Sequence, residues 1–117
     1  MQLDPEKNKI IAREFYKMAF NGNPKEAAEL YAGKEYKRHN SDDEGGIDGF
    51  IAYFERMFNE YPGKSMEIVF CDAAEDLVIL HVDQIWPENL RFFLMVFFRF
   101  DKNNKIVEYW DIIEKRS

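Results

Sequence analysis

The stretch FFRFDKNNKIVEYWDII, from Phe97 to Ile113, joins two runs of aromatic and β-branched residues through the polar turn DKNN. Two such runs around a short turn rich in Asp and Asn are typical of a β-hairpin. In the second run, the carboxylate of Asp111 stands between Trp110 and Ile112. The stretch therefore predicts an antiparallel sheet, and Asp111 is its first candidate functional residue.

The same pattern extends back through the second half of the chain. From Ser65 onward, apolar runs alternate with the polar turns AAED, WPEN and DKNN, which predicts four strands joined by hairpins. The run LRFFLMVFFRF, from Leu90 to Phe100, is apolar on both faces of its strand. We expect a partner to cover the second face of the sheet, most simply a second copy of the chain in a homodimer.

The first half carries three stretches with apolar residues at helical spacing. Asp4 followed by proline is typical of a helix start, and Asn23 with Glu26 has the pattern of a capping box. The third stretch follows the polar loop SDDEGGIDG. The helices are expected at Pro5 to Phe20, Pro24 to about Tyr31, and Phe50 to the turn at Tyr61, with a brief extended piece at Glu35 to Asn40.

Helices first and hairpin-connected strands second predict an α+β fold, with three helices on one face of a curved antiparallel sheet. A chain of 117 residues, 46% of them hydrophobic, is long enough for one domain with a core. No repeat or linker divides it, so residues 1–117 are predicted to form a single domain. The aromatic content of 16% favours a cavity lined by rings.

Charge and cysteine content restrict the partners. The net charge of -6 and scattered Lys and Arg residues argue against a nucleic-acid partner. The single cysteine, Cys71, excludes an internal disulfide and a multi-cysteine zinc site, and we expect it to be a small core residue. The sequence has no signal region and no run long enough to span a membrane, so we expect a cytoplasmic protein without a membrane partner.

Strand alternation predicts the neighbours of Asp111. Val107, Tyr109, Asp111 and Ile113 are expected on one face of the last strand. If that face meets the helices, Asp111 lies in an apolar concavity, where it can act as a general acid or base. The structural alternative is that Asp111 pairs with an arginine or a backbone donor near a dimer seam. The residues alone leave both interpretations open.

Two histidines, His39 and His81, are the other candidates for such a concavity. On its strand His81 shares a face with Leu77, Ile79, Asp83 and Ile85. The alternative for a histidine on an apolar face is a structural residue with satisfied hydrogen bonds. No HxH or HxxxH pair is present, so we assign no metal site. Phosphate-binding glycine loops and a GxSxG nucleophile motif are also absent from the sequence.

Four segments together resemble a known family. They are YKRHN at Tyr36 to Asn40, the following GFIAYF, AEDLVILHVD at Ala74 to Asp83, and FFRFDKNNKIVEYWDII. The chain resembles, over nearly its whole length, the SnoaL-like (polyketide-cyclase-like) branch of the NTF2-like superfamily, which also contains ketosteroid isomerase. The resemblance implies a cone-shaped fold in which three helices and a curved sheet enclose a hydrophobic pocket, commonly as a dimer.

The resemblance also implies an activity. In the cyclases of this branch, the aspartate at the position of Asp111 is the general acid/base of an intramolecular aldol ring closure, without metal or cofactor. The expected substrate is a small apolar carbonyl compound, cyclised or isomerised, with His39 or His81 steadying the enolate oxygen. The ligand-binding positions expected in the pocket are Tyr36, Phe54, Val96, Phe98 and Tyr109.

Two departures from the family pattern leave an alternative open. Tyr109 stands where many members have a histidine, and Val96 stands where many have an acidic residue. Both changes remove polar groups from the expected pocket, although a tyrosine can still donate a hydrogen bond to an oxyanion. The alternative is a non-catalytic module that binds a small apolar molecule. A protein-interaction domain is a third possibility, for which the sequence offers no motif-binding face.

Overall fold

The computed structural model describes residues 4–38 and 46–116 of the chain, which form three helices and five strands. A short 3-10 turn joins the third and fourth strands. This is the predicted α+β class. The elements are α1 (Pro5–Phe20), α2 (Pro24–Tyr31), β1 (Ala32–Arg38), α3 (Gly46–Glu60), β2 (Ser65–Ala74), β3 (Leu77–Trp86), β4 (Leu90–Phe100) and β5 (Ile106–Arg116).

The five strands form one curled sheet in the order β1-β5-β4-β3-β2. Strands β2 to β5 are the predicted antiparallel meander. The sheet is nevertheless mixed, because β1 runs parallel to β5, with Ala32 opposite Ile106. Alternation cannot reveal this direction, since the two strands are separated by most of the chain.

The helix starts follow the predicted signals in part. The Asp4 carboxylate accepts a hydrogen bond from the backbone N–H of Lys7 at 3.1 Å, which caps α1. Asn23 makes no side-chain cap, so the capping box predicted for α2 does not form. Helix α3 begins at Gly46, four residues before the predicted Phe50. The glycine-containing segment is helical there, and Ile47 packs against the core from its first turn.

The helices cover the inner face of the sheet, and the core between them is built from rings. Phe15 stacks on Phe50 with ring centres 4.8 Å apart and meets Phe98 edge-on at 5.9 Å. All three side chains are fully buried. These rings from α1, α3 and β4 fill the middle of the cone.

The outer face of the sheet points away from the helices. Its apolar centre is formed by Phe93, Met95, Phe97, Trp110 and Ile112, and in the part of the chain that the structure describes no helix packs on it. Phe97 stacks on Trp110 at 5.4 Å, and Ile112 remains 59% exposed. The apolar residues of this outer face are neighbours and form one patch, unlike single apolar residues scattered over a surface.

A β-bulge corrects the predicted alternation of β5. Arg99 pairs with Glu108 and Phe100 pairs with Ile106, so Val107 is an extra residue between two register positions. Strict alternation places Ile106 on the face opposite Tyr109, but the bulge brings it to the same inner face, where it is fully buried. The pairing of β5 with β4 continues on both sides of the inserted residue. The residues of β5 before the insertion, however, point to the opposite face from the one that strict alternation predicts. Beyond the bulge, Tyr109 and all later residues follow the prediction.

Candidate functional site

A small cavity lies at the open end of the cone, between α1, α3 and the inner face of β3, β4 and β5. Its wall is mostly apolar, with side chains such as Phe54, Met57 and Leu94. The free volume is about 20 Å³, room for about one water molecule. The polar members of its lining are Tyr16, Lys64, Gln84, Tyr109 and Asp111.

Asp111 reaches this cavity from β5. It lies opposite Val96 in the sheet, on the inner face, and its side chain is half-buried. The hydroxyl of Tyr109 donates a hydrogen bond to Asp111 Oδ2 at 3.1 Å. The Tyr109 ring is fully buried and packs edge-on against Phe50 and Phe98, at 5.5 and 5.4 Å. A rigid ring therefore orients the carboxylate, because the ring cannot move without disturbing the core.

A second polar group enters the cavity from β3 and α1. Gln84 Nε2 donates to the hydroxyl oxygen of Tyr16 at 2.8 Å, and Trp86 Nε1 donates to Gln84 Oε1 at 2.9 Å. Gln84 is only 6% exposed and Tyr16 only 1%. The sequence interpretation did not identify these residues. One signal was available, because Gln84 continues the buried alternation of Val82 on the inner face of β3.

Lys64 is the positively charged residue in the lining of the cavity. It was not predicted from the sequence either. It follows the Gly63 turn directly before β2, and its ammonium lies 4.4 Å from the centre of the Phe20 ring. Burial lowers the pKa of Lys64 below its ordinary value. No local pattern marks this lysine, since only the fold brings the end of α1 over it.

The predicted ligand-binding residues take different positions. Phe54 lines the cavity. Tyr36 is buried beneath it and packs against Tyr109 at 6.5 Å and Phe50 at 5.8 Å. Val96 and Phe98 are fully buried behind Asp111 and Tyr109 and are not part of the cavity wall. These three residues support the site rather than line it.

The structure does not bring His81 to this site. The predicted grouping with Asp83 is correct, but that side of β3 is the outer face, where His81 lies opposite Met95. Its Nε2 lies 3.2 Å from Asp83 Oδ1, and its ring packs on Phe93 at 4.4 Å. The reason is strand parity, because residues that alternate with the buried Val82 point away from the helices. His39 falls in residues 39–45, outside the described residues.

Within residues 4–38 and 46–116, no three His, Cys, Asp or Glu side chains come together as metal ligands. None of the helices there is long and apolar enough to cross a membrane. Cys71 is half-buried against the core, and desolvation, the largest influence, raises its pKa.

The comparisons with solved structures place the fold. AclR from Streptomyces galilaeus, a proposed hydroxylase, has a TM-score of 0.78 at 18% identity, covering 95% of this chain and 91% of its own. A proposed ketosteroid isomerase from Kribbella flavida gives 0.77 at 16% identity, covering 97% and 82%. A proposed SnoaL-like polyketide cyclase from Jannaschia sp. gives 0.78 at 10% identity, covering 94% and 87%. At these identities the likeness shows a shared fold, on which different reactions have been proposed.

Sequence comparison identifies the family. No curated protein matches the chain significantly. The family model described as the SnoaL-like domain matches residues 12–109. That match spans α1 from its middle, all five strands in part or whole, and the sheet position of Tyr109. The chain therefore belongs to the family of SnoaL-like domains.

Proposed function

We propose that the protein is a cofactor-independent enzyme that moves a proton on a small apolar carbonyl compound, in a cyclisation or an isomerisation. Asp111 is the general acid/base in this proposal. The observation that carries it is the hydrogen bond from the Tyr109 hydroxyl to Asp111 Oδ2, in the wall of a cavity that is otherwise mostly apolar. A carboxylate held at a fixed orientation beside apolar surface suits proton abstraction from carbon.

The proton transfer needs a base on carbon and a donor on oxygen. Asp111 accepts the proton from the carbon next to the carbonyl group, and the electron pair moves to the oxygen as an enolate. The chain of donors from Trp86 through Gln84 to Tyr16 ends with a phenol in the cavity. A hydroxyl that accepts a hydrogen bond becomes a better donor, so Tyr16 is suited to stabilise the enolate oxygen. Asp111 then returns the proton to a different carbon in isomerisation, or the enolate carbon attacks a second carbonyl in cyclisation.

This assignment changes the role proposed for the histidines. His81 points to the outer face, so the donor to the enolate oxygen in this proposal is Tyr16 instead. Tyr109 acts through Asp111 and is a positioning residue. Phe54, whose ring meets Tyr16 at 5.9 Å, holds the phenol from the α3 side.

The size of the cavity limits the substrate. Its volume of about 20 Å³ is smaller than any ketone, so entry of a ligand requires side chains at the opening to move. Tyr53 and Met57 on α3 are half-buried, and Ile113 on β5 is 51% exposed. Such side chains have room to turn outward, unlike the fully buried rings beneath them. A small, apolar compound fits this opening best.

The second candidate is a module that binds a small apolar molecule without turnover. Val96 is an apolar, fully buried residue directly opposite Asp111, where a second acid would strengthen the case for an enzyme. The mostly apolar wall supports this candidate as well.

Isomerisation of 3-cyclohexen-1-one to the conjugated 2-cyclohexen-1-one, followed by ultraviolet absorbance, tests the proposal. The wild type should accelerate the reaction, and Asp111→Asn should lose about 100-fold or more of that acceleration. Asp83→Asn is the matched control, since Asp83 lies on the outer face. If the wild type gives no turnover but the ketone raises its melting temperature, the binding module is favoured. If Asp111→Asn unfolds the protein, Asp111 is a structural residue.

A further inference from the structure

We propose that Lys64 is a second reactive group of this cavity, which forms a Schiff base with small apolar aldehydes or ketones. The inference deepens the proposed function, on which it rests for the carbonyl class of the ligand. It adds a covalent step that proton transfer by Asp111 does not require. The lysine is therefore proposed as a nucleophile and not as a surface charge.

The position of Lys64 is unusual for a lysine. It lines the cavity together with Asp111 and the apolar residues Phe54 and Leu94. Its ammonium lies over the face of the Phe20 ring at 4.4 Å. Over residues 4–38 and 46–116, no carboxylate forms an ion pair with it. Among the described residues, the side chain is therefore held by packing and a cation–π contact.

The surroundings favour the neutral amine. Partial burial removes water from the ammonium, which lowers the pKa of Lys64. The contact with the Phe20 ring acts in the opposite direction, because it favours the charged form. A larger fraction of the amine is then neutral near pH 7 than for an exposed lysine. Lysines desolvated in apolar pockets are the ones that act as nucleophiles on carbonyl groups.

The covalent step balances without a cofactor. The neutral nitrogen of Lys64 donates its electron pair to the carbonyl carbon, which forms a C–N bond and leaves the electron pair of the C=O bond on oxygen. That oxygen takes up protons and leaves as water, and a C=N bond remains as a protonated imine. The sum is one amine, one carbonyl compound and one proton giving one iminium ion and one water molecule.

Asp111 and Lys64 would then act on the same bound molecule. An iminium ion withdraws electrons more strongly than a carbonyl group, so the neighbouring C–H bond becomes more acidic. Asp111, in the wall of the same cavity, accepts that proton.

Reductive trapping tests the proposal on the unmodified protein. The wild type is treated at pH 7 with a limiting amount of propanal and sodium cyanoborohydride, which reduces the imine to a stable secondary amine. Peptide mass mapping then measures the yield at each lysine. Lys25 and Lys102 are exposed and serve as internal references. We expect Lys64 to be modified in several-fold higher yield than either reference, although it is less accessible. A yield at Lys64 equal to or below that of the references would overturn the proposal.

Three variants separate this proposal from the proposed function. Lys64→Met keeps the apolar stem and Lys64→Arg keeps the charge, and neither should be trapped at position 64. Asp111→Asn should retain trapping at Lys64 while it loses proton transfer. Trapping in the wild type without any proton transfer would contradict the role of Asp111 alone. Proton transfer in the wild type without preferential trapping at Lys64 would contradict the role of Lys64 alone.

Discussion

Tyr109 Oη donates a hydrogen bond to Asp111 Oδ2 across 3.1 Å, with both side chains on the inner face of β5. The buried ring of Tyr109 connects the carboxylate to the centre of the core through Phe50 and Phe98. The chemistry proposed for Asp111 therefore depends on a residue that the core holds rigidly.

Replacing Tyr109 with phenylalanine tests the positioning role. Tyr109→Phe keeps the ring contacts and removes the donor, so we expect a loss of about 1 kcal/mol of stability and a clear fall in kcat. The fold should be intact by circular dichroism. Tyr61→Phe, which changes an exposed tyrosine, is the control and should leave both quantities unchanged. Unchanged turnover in Tyr109→Phe would show that the hydrogen bond has no positioning role.

The hydrogen bonds that connect Trp86, Gln84 and Tyr16 predict that substitutions of Gln84 and Tyr16 have non-additive effects on the free energy of unfolding. Gln84→Met leaves the buried hydroxyl of Tyr16 without this donor, and we expect a loss of about 1–3 kcal/mol in urea unfolding. Tyr16→Phe together with Gln84→Met should recover part of that loss, because both partners are then apolar. Strict additivity of the two single changes would contradict a direct coupling. Turnover should fall in all three variants, since Tyr16→Phe removes the donor proposed for the enolate oxygen and Gln84→Met removes the hydrogen bond that supports this donor.

The stability of the fold is expected to depend on pH through the thiol of Cys71. Its folded pKa is raised above the ordinary value of 9.0, with desolvation as the largest cause. Above that ordinary value the unfolded thiol ionises while the folded thiol still holds its proton. The stabilising contribution of Cys71 is thus complete below the ordinary pKa and is lost as pH rises through the folded pKa. Its alkylation by iodoacetamide should show a higher midpoint in the native protein than in urea, and equal midpoints would contradict the assignment.

The outer face of the sheet predicts a homodimer. Glu67 lies opposite Asp83 on β2 and β3, and Arg91 lies opposite Arg116 on β4 and β5, so like charges face each other within one chain, with the acidic pair and the basic pair side by side at one end of the apolar centre. A second copy, related by a two-fold axis along the strands, would place the acidic side of one protomer against the basic side of its partner. The apolar centre, including the exposed Ile112, would be buried at the same time.

Sedimentation at micromolar concentration measures this association. We expect a dimer for the wild type and a folded monomer for Ile112→Glu, which places a charge in the apolar centre. Leu30→Glu, which changes another exposed apolar residue, on α2 (48% exposed), is the control and should remain dimeric. A stable wild-type monomer would contradict the interface. Weaker association at high salt is also expected, because the flanking charge pairs are screened.

Much of this architecture could be predicted from the sequence, because hydrophobic periodicity and turn residues act locally. The bounds of α1 and the four meander strands follow from them. The parallel pairing of β1 could not be predicted in the same way, since it joins distant segments. The bulge at Val107 was also missed, because one extra apolar residue in a mostly apolar run gives no distinct sequence signal.

The site was predicted less completely than the fold. Asp111, Tyr109 and Phe54 were identified by alternation and resemblance, and the structure places all three at the cavity. Lys64 and Gln84 were not identified, because their proximity depends on how α1 and α3 close over the sheet. His81 was grouped correctly with Asp83 on one side of its strand. Sequence parity alone does not show which side meets the helices, and that side is the outer face of the sheet.

Deuterium exchange at the α-carbon of cyclohexanone, followed by proton NMR in D2O, tests the central claim most directly. The measurement detects proton abstraction whatever the natural reaction is. The wild type should accelerate exchange, Asp111→Asn should lose about 100-fold or more of this acceleration, and Asp83→Asn should match the wild type. Equal exchange rates with wild type and a folded Asp111→Asn would contradict the assignment of Asp111 as the base.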